Sequence, residues 1–209
     1  MSVNPDVTKA LKHLREHDVR MGLLIEQFPA PGFTPHTNYY QELVESIISQ
    51  QLSVKAAATI GRRFVDSFGH FPEPHEILAR DEDELRSVGL SGQKTRYIRD
   101  LASKVIAGEV QFDHLDALSN DQIVEELTAV KGIGEWTVHM FLMFCMGRLD
   151  VLPTGDLGIR NAIARLYELS SCTPADVTEI AAKNGWAPYE SVASWYLWQS
   201  LDNTPKTAD

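Results

Sequence analysis

Two features of this chain could do chemistry together. One is a glycine hairpin, Val130-Lys131-Gly132-Ile133-Gly134; the other is an acidic residue, Asp156, 22 positions after Gly134. Gly132 and Gly134 permit positive φ and let another backbone come close. Free amides at the start of a helix after such a turn favour an anion, and they can hold a phosphate without reading bases. Asp156 stands at the mouth of an apolar-patterned segment, where a helix N-terminus favours an anionic side chain. A carboxylate there can stabilise developing positive charge and orient or deprotonate a water. Plain structural readings stand beside both. Gly-x-Gly caps ordinary helical hairpins, and an aspartate before a helix is a good N-cap.

The elements that must position these residues read as helices. Tyr40, Leu43, Val44, Ile47 and Ile48 follow the three-and-four spacing of an amphipathic helix. Further helices are predicted over 53–68 with Gly69 as a stop, 76–79, 81–87 closed by Gly89, and 92–107 ended by Gly108. Ser119 and Gln122 form a capping box for 121–129. Segment 135–146 reads as one helix with Met140, Phe141, Phe144 and Cys145 on its apolar side. Segment 157–169 places Ile159, Ile163, Leu166 and Tyr167 on one face; Thr173 and Pro174 start another helix, and 189–201 follows Pro188. Period-two alternation is absent, so the fold class is all-α. Residues 28–38 and 147–155 read as linkers. They imply two helical lobes with a cleft between them. Residues 1–38 with 150–209 form a terminal lobe, and 39–149 form an inserted lobe carrying a helix-hairpin-helix over 120–146.

Composition narrows the class. With 44% hydrophobic and 23% charged residues, the 209-residue chain can bury a core. Cys145 and Cys172 are the only cysteines, which excludes a disulfide framework, a four-cysteine zinc site and a four-cysteine iron–sulfur cluster. His13 and His17 lie four apart on a helix without a third ligand and read as surface residues. The first residues lack the apolar core of a signal peptide, and no apolar run reaches membrane-spanning length. An intracellular location is expected, in a bacterial cytoplasm and nucleoid or in a nucleus. The net charge of -10, with 29 acidic against 19 basic residues, argues against a nucleic-acid partner unless local amides carry the contact.

The fuller strings are more specific. Leu127-x-x-Val130-Lys131-Gly132-Ile133-Gly134-x-x-Thr137 resembles the helix-hairpin-helix of the DNA glycosylase superfamily that includes endonuclease III. Leu152-Pro153-Thr154-Gly155-Asp156-Leu157-Gly158-Ile159-Arg160 resembles the segment carrying that family's catalytic aspartate. Ile47-Ile48-Ser49-Gln50-Gln51-Leu52-Ser53 and Gly89-Leu90-Ser91-Gly92-Gln93-Lys94 match the pattern too, so the likeness runs from Tyr40 to Leu201. The chain looks like the 3-methyladenine DNA glycosylase II branch in its short form, without an N-terminal sheet domain.

That resemblance implies a monofunctional DNA glycosylase of base excision repair. It would hydrolyse the N-glycosidic bond of alkylated purines, of the 3-methyladenine and 7-methylguanine type, in double-stranded DNA by base flipping. It makes Asp156 the catalytic aspartate. It assigns the DNA contact to Gln50, Gln51 and Leu52, with Gln51 intercalating, and to Lys131, Gly132, Ile133, Gly134 and Thr137. It lines a base pocket with Trp136, Met140, Leu157 and Trp198, leaving Trp195 as core. Trp136 stands where lyase-competent relatives carry a Schiff-base lysine, which implies base removal without strand nicking. No cofactor is implied beyond a sodium or potassium ion at the hairpin carbonyls of Thr128, Val130 and Ile133. The expected partner is double-stranded DNA with alkylated bases, bound by a monomer away from any membrane.

Two positions depart from the family pattern. Glu190 follows Pro188-Tyr189 where an arginine is frequent, and Met140 and Leu157 replace aromatic residues, so a less aromatic pocket is expected. Without the family, Gln50 and Gln51 would simply end a helix and bond locally, and Trp195, Trp198 and Leu201 could all be core. A non-catalytic helix-hairpin-helix module that binds DNA or a protein is the alternative. A generic acidic helical interaction protein is a third reading.

Overall fold

The computed structural model describes residues 5–202. Its helices in chain order are α1 (Pro5–His17), α2 (Val19–Gln27), α3 (Tyr39–Ser49), α4 (Val54–Phe68), α5 (Pro74–Ala79), α6 (Glu82–Ser87), α7 (Gly92–Ile106), α8 (Asn120–Thr128), α9 (Glu135–Met140), α10 (Leu157–Leu166), α11 (Pro174–Lys183) and α12 (Glu190–Asp202). A 3-10 turn covers Leu115–Ala117 and a π-helical turn Phe141–Cys145. The described residues contain no strand.

Local chemistry explains where these helices start and stop. Ser53, Ser91, Ser119 and Thr173 each accept a backbone N–H from the first turn of the helix that follows. The capping box at Ser119 and Gln122 is present. Gly69 ends α4 in the left-handed region at φ +82.

The chain divides into two compact units, one running up to Pro35 and resuming at Leu142, the other His36–Phe141. From sequence the boundaries stood at 38/39 and 149/150. In the terminal unit, Val7, Leu14, Met21, Ile25, Ile159, Ile163, Trp186 and Leu197 belong to one core. Asp18 is buried there, and its carboxylate accepts from Met21 N–H (3.0 Å), Trp186 Nε1–H (2.7 Å) and the Tyr167 hydroxyl. Three donors make that buried charge tolerable. In the inserted unit, Leu43, Ile47, Phe64, Ile77, Ile98, Leu115, Ile123 and Leu127 are buried.

Three expectations need correction. Segment 135–146 is not one α-helix. The i→i+5 pattern from Phe141 adds a residue per turn and rotates the face. Phe141, Leu142, Met143 and Cys145 are therefore buried while Phe144 is 40% exposed. The helix predicted over 157–169 ends at Leu166. His13 is not a surface residue: it is half-buried, its Nε2 bonds to the Gly185 carbonyl at 2.7 Å, and its ring stacks on His17 at 4.1 Å.

Candidate functional site

The predicted site residues fall into two groups, one in each unit. In the inserted unit, Val130 N–H donates to Leu127 O and Ile133 N–H to Val130 O, each at 3.1 Å, which folds the turn between α8 and α9. The two glycines serve different needs. Gly132 has φ +85, and a Cβ there would lie 2.0 Å from the Tyr97 ring on α7. Gly134 caps α9 with an ordinary φ of -98, and nothing lies within 4 Å of where its Cβ would be. Only Gly132 uses the conformational freedom expected of both. At Gly134 the missing side chain leaves open space through which another backbone could approach.

Asp100, one turn beyond Tyr97 on α7, accepts the Lys131 N–H at 2.9 Å and pairs with Lys131 Nζ at 3.1 Å. Burial pushes the Asp100 carboxyl up, but the bonds and charge of Lys131 outweigh it and hold the group below the usual carboxylate range. Lys131 was expected among the residues that contact DNA. Its amide is already used within the fold, and its charge is matched. Thr137 and Ile133, also expected to contact DNA, are buried, so any contact there runs through backbone rather than side chain. Trp136 is 54% exposed and Met140 is half-buried.

The turn after α3 is tied to this hairpin. Gln50 Nε2 donates to the Gly132 carbonyl at 2.8 Å. Gln51 sits at φ +58, a left-handed conformation uncommon outside glycine. Lys94 Nζ on α7 donates to Ile48 O at 2.7 Å, and burial lowers the pKa of that ammonium. Gln51 and Leu52 are exposed at the tip. The Gln50 backbone N–H bonds locally to Ser46 O at 3.2 Å, but its side-chain partner is 82 positions away.

In the terminal unit, Asp156 is the N-cap of α10. Its Oδ1 accepts Ile159 N–H at 2.8 Å and Trp198 Nε1–H at 3.0 Å. The N-cap reading holds, and it is compatible with the functional one. A Cβ on Gly158 would lie 3.0 Å from Asp156 Oδ1 and 3.2 Å from Trp198 Cδ1, so a glycine keeps this junction open. Phe144 lies against Trp198 with ring centres 6.2 Å apart, and Phe33 against Phe144 at 5.7 Å. Leu157 is exposed. Trp195 is half-buried and meets Tyr196 edge-on at 5.0 Å.

Sequence reasoning missed several of these residues. Phe33 and Phe144 make the surroundings of Trp198 more aromatic than Met140 and Leu157 alone suggested. Phe33 carried one faint signal, an aromatic residue within a proline-rich linker. Tyr97 and Asp100 carried none, because their partners are distant in sequence. Glu190 is half-buried, and its Oε2 has no hydrogen-bond partner among the described residues. A groove of about 590 Å³ beside α3 and α4, lined by Ile48, Val54, Phe64 and Phe71, includes none of the predicted site residues.

Residues 44–188 match the model of the family described as HhH-GPD superfamily base excision DNA repair protein. DNA-3-methyladenine glycosylase 1 of Schizosaccharomyces pombe is 38% identical over 209 residues, covering 97% of this chain and 90% of that protein. Among solved structures, the S. pombe 3-methyladenine DNA glycosylase in complex with abasic DNA superposes with a TM-score of 0.76 at 35% identity, covering 94% of this chain and 98% of that one. The DNA-3-methyladenine glycosidase of Bacillus halodurans gives a TM-score of 0.79 at 36% identity over 93% and 89% of the two chains.

Proposed function

Because the chain belongs to the HhH-GPD superfamily of base excision DNA repair proteins, we propose that Asp156 drives hydrolysis of the N-glycosidic bond of alkylated purines in double-stranded DNA. The chain is a DNA glycosylase of the 3-methyladenine type. The observation that carries the assignment of Asp156 is its carboxylate, held through Oδ1 by a backbone amide and an indole N–H.

Breaking the bond between the sugar and an alkylated purine leaves the electron pair on the base. The base already carries positive charge, so it departs neutral and needs little help from an acid. Positive, oxocarbenium-like charge builds on the sugar instead. An anion fixed by two donors does not have to reorganise as that charge appears. It also orients the attacking water and takes its proton. Trp198, with Phe144 beside it, offers a π face to an electron-poor base next to the carboxylate. Trp136 has no amine, so no Schiff base forms at that position and the product is an abasic site in an intact strand. Gln51 and Leu52, exposed at their turn, suit the gap that a flipped base leaves. The backbone near Gly134 suits a phosphate.

A monovalent cation would be held by the carbonyls of Thr128, Val130 and Ile133. Val130 O spends one lone pair on Ile133 N–H and keeps the other, and neutral hard oxygens suit such an ion. When bound it would supply positive charge near a phosphate.

The test is release of free bases from DNA treated with a methylating agent. Asp156→Asn is expected to slow release by on the order of a hundredfold or more, with affinity for abasic DNA retained. Wild-type turnover by that variant overturns the assignment. A borohydride-trapped protein–DNA adduct would overturn the monofunctional reading. A non-catalytic hairpin module, the other reading, releases no base at all and leaves the carboxylate only its task as the N-cap of α10.

A further inference from the structure

Helix α12 holds the segment leading to Asp156 by hydrogen bonds near both of its ends. At its first turn, Ser191 is fully buried; its hydroxyl donates to Arg148 O at 2.7 Å and accepts Val151 N–H at 3.1 Å. Its own amide donates to Leu149 O at 2.9 Å. Two turns later on the same helix, Trp198 Nε1–H donates to Asp156 Oδ1. Between these anchors the chain folds tightly: Thr154 N–H donates to Leu152 O at 2.8 Å and Asp156 N–H to Pro153 O at 3.0 Å. Little slack remains from Arg148 to Asp156.

We propose that Ser191 is a positioning residue for Asp156: with Trp198 it clamps both ends of the 148–156 strap onto α12 and so sets where the carboxylate stands. The inference rests on the catalytic reading of Asp156 given above. Ser191 touches neither substrate nor carboxylate. It acts through the strap, and a small displacement of a catalytic group is enough to slow a reaction whose fold is intact.

In Ser191→Ala the Ser191 N–H to Leu149 O bond survives, and the hydroxyl bridge is lost. Single-turnover base release from methylated DNA is expected to slow on the order of tenfold, while affinity for abasic DNA stays within about twofold. In an Asp156→Asn background the same change is expected to alter the residual rate less than about twofold, because two residues acting through one group are not additive. Equal losses in both backgrounds, or a wild-type rate for Ser191→Ala beside a crippled Asp156→Asn, overturn the inference alone. Full activity of Asp156→Asn overturns the catalytic reading and this inference with it. Should Ser191→Ala not fold, Ser191→Cys keeps a weak donor and acceptor. That variant is expected to show an intermediate loss with unchanged abasic-DNA affinity, and a wild-type rate for it overturns the proposal.

Discussion

Gln50 Nε2 donates a hydrogen bond to the carbonyl of Gly132 at 2.8 Å. The exposed turn at Gln51 and Leu52 and the glycine hairpin are thereby one mechanical piece, although 82 positions separate the bonded residues. Lys94 holds the same turn from α7. Contacts made by the hairpin and by the turn should therefore respond together.

Gln50→Ala is expected to weaken binding to abasic DNA by roughly fivefold, the value of about one hydrogen bond between neutral groups. Fluorescence anisotropy on labelled duplex checks it. Unchanged affinity would mean that the tie between turn and hairpin has no part in binding.

The two hairpin glycines should fail in different ways. Gly132→Ala combines a left-handed φ with a collision against Tyr97, and it should lower stability by about 3 kcal/mol. Gly134→Ala enters open space at an ordinary φ and should melt with the wild type. Its cost is expected in DNA affinity, on the order of tenfold, because the methyl blocks close backbone approach. Thermal melts and anisotropy on both variants separate the two roles; a Gly134→Ala protein that binds normally would remove the phosphate from that position.

Salt dependence should be shallow. With Lys131 already paired to Asp100, a slope of roughly two to four neutralised phosphates is expected. Lys131→Gln should change that slope by less than about one. A slope near the value of about -10 seen for a basic repressor would show that side-chain cations, rather than amides, dominate the grip.

Glu190 should make stability fall towards neutral pH. Burial pushes its carboxyl above the usual 4.5, and Asp150 adds to this, while its own backbone amide and His13 oppose it. A raised pKa means that the folded state holds this proton more tightly than the unfolded chain. The contribution is therefore fully present below the unfolded value and is lost as pH rises through the folded one. Glu190→Gln is expected to raise Tm near about pH 7 and to change it little near about pH 4. An unchanged Tm at neutral pH would show that the half-buried carboxylate is solvated well enough to cost nothing.

Sequence alone determined the features that depend on near neighbours. The all-helical class, the caps at Ser53, Ser119 and Thr173, the stop at Gly69 and the N-cap at Asp156 all follow from interactions within a turn or two, which residue type and spacing encode directly. The motif order was enough to indicate the family, and Trp136 stood in plain view where an amine would be needed for lyase chemistry. Tertiary structure decided what each group is free to do. Lys131 proved to be paired with Asp100, 31 positions away, and Trp198 to be a donor to Asp156, 42 positions away. Phe33 and Phe144 came together although they lie far apart in the chain. The divergence of Gly132 and Gly134 likewise rests on one ring, Tyr97, packed beneath the first and not the second. Such pairings depend on how helices pack and on the π-turn that rotated Phe144 outward, and periodicity within a single helix carries no record of either.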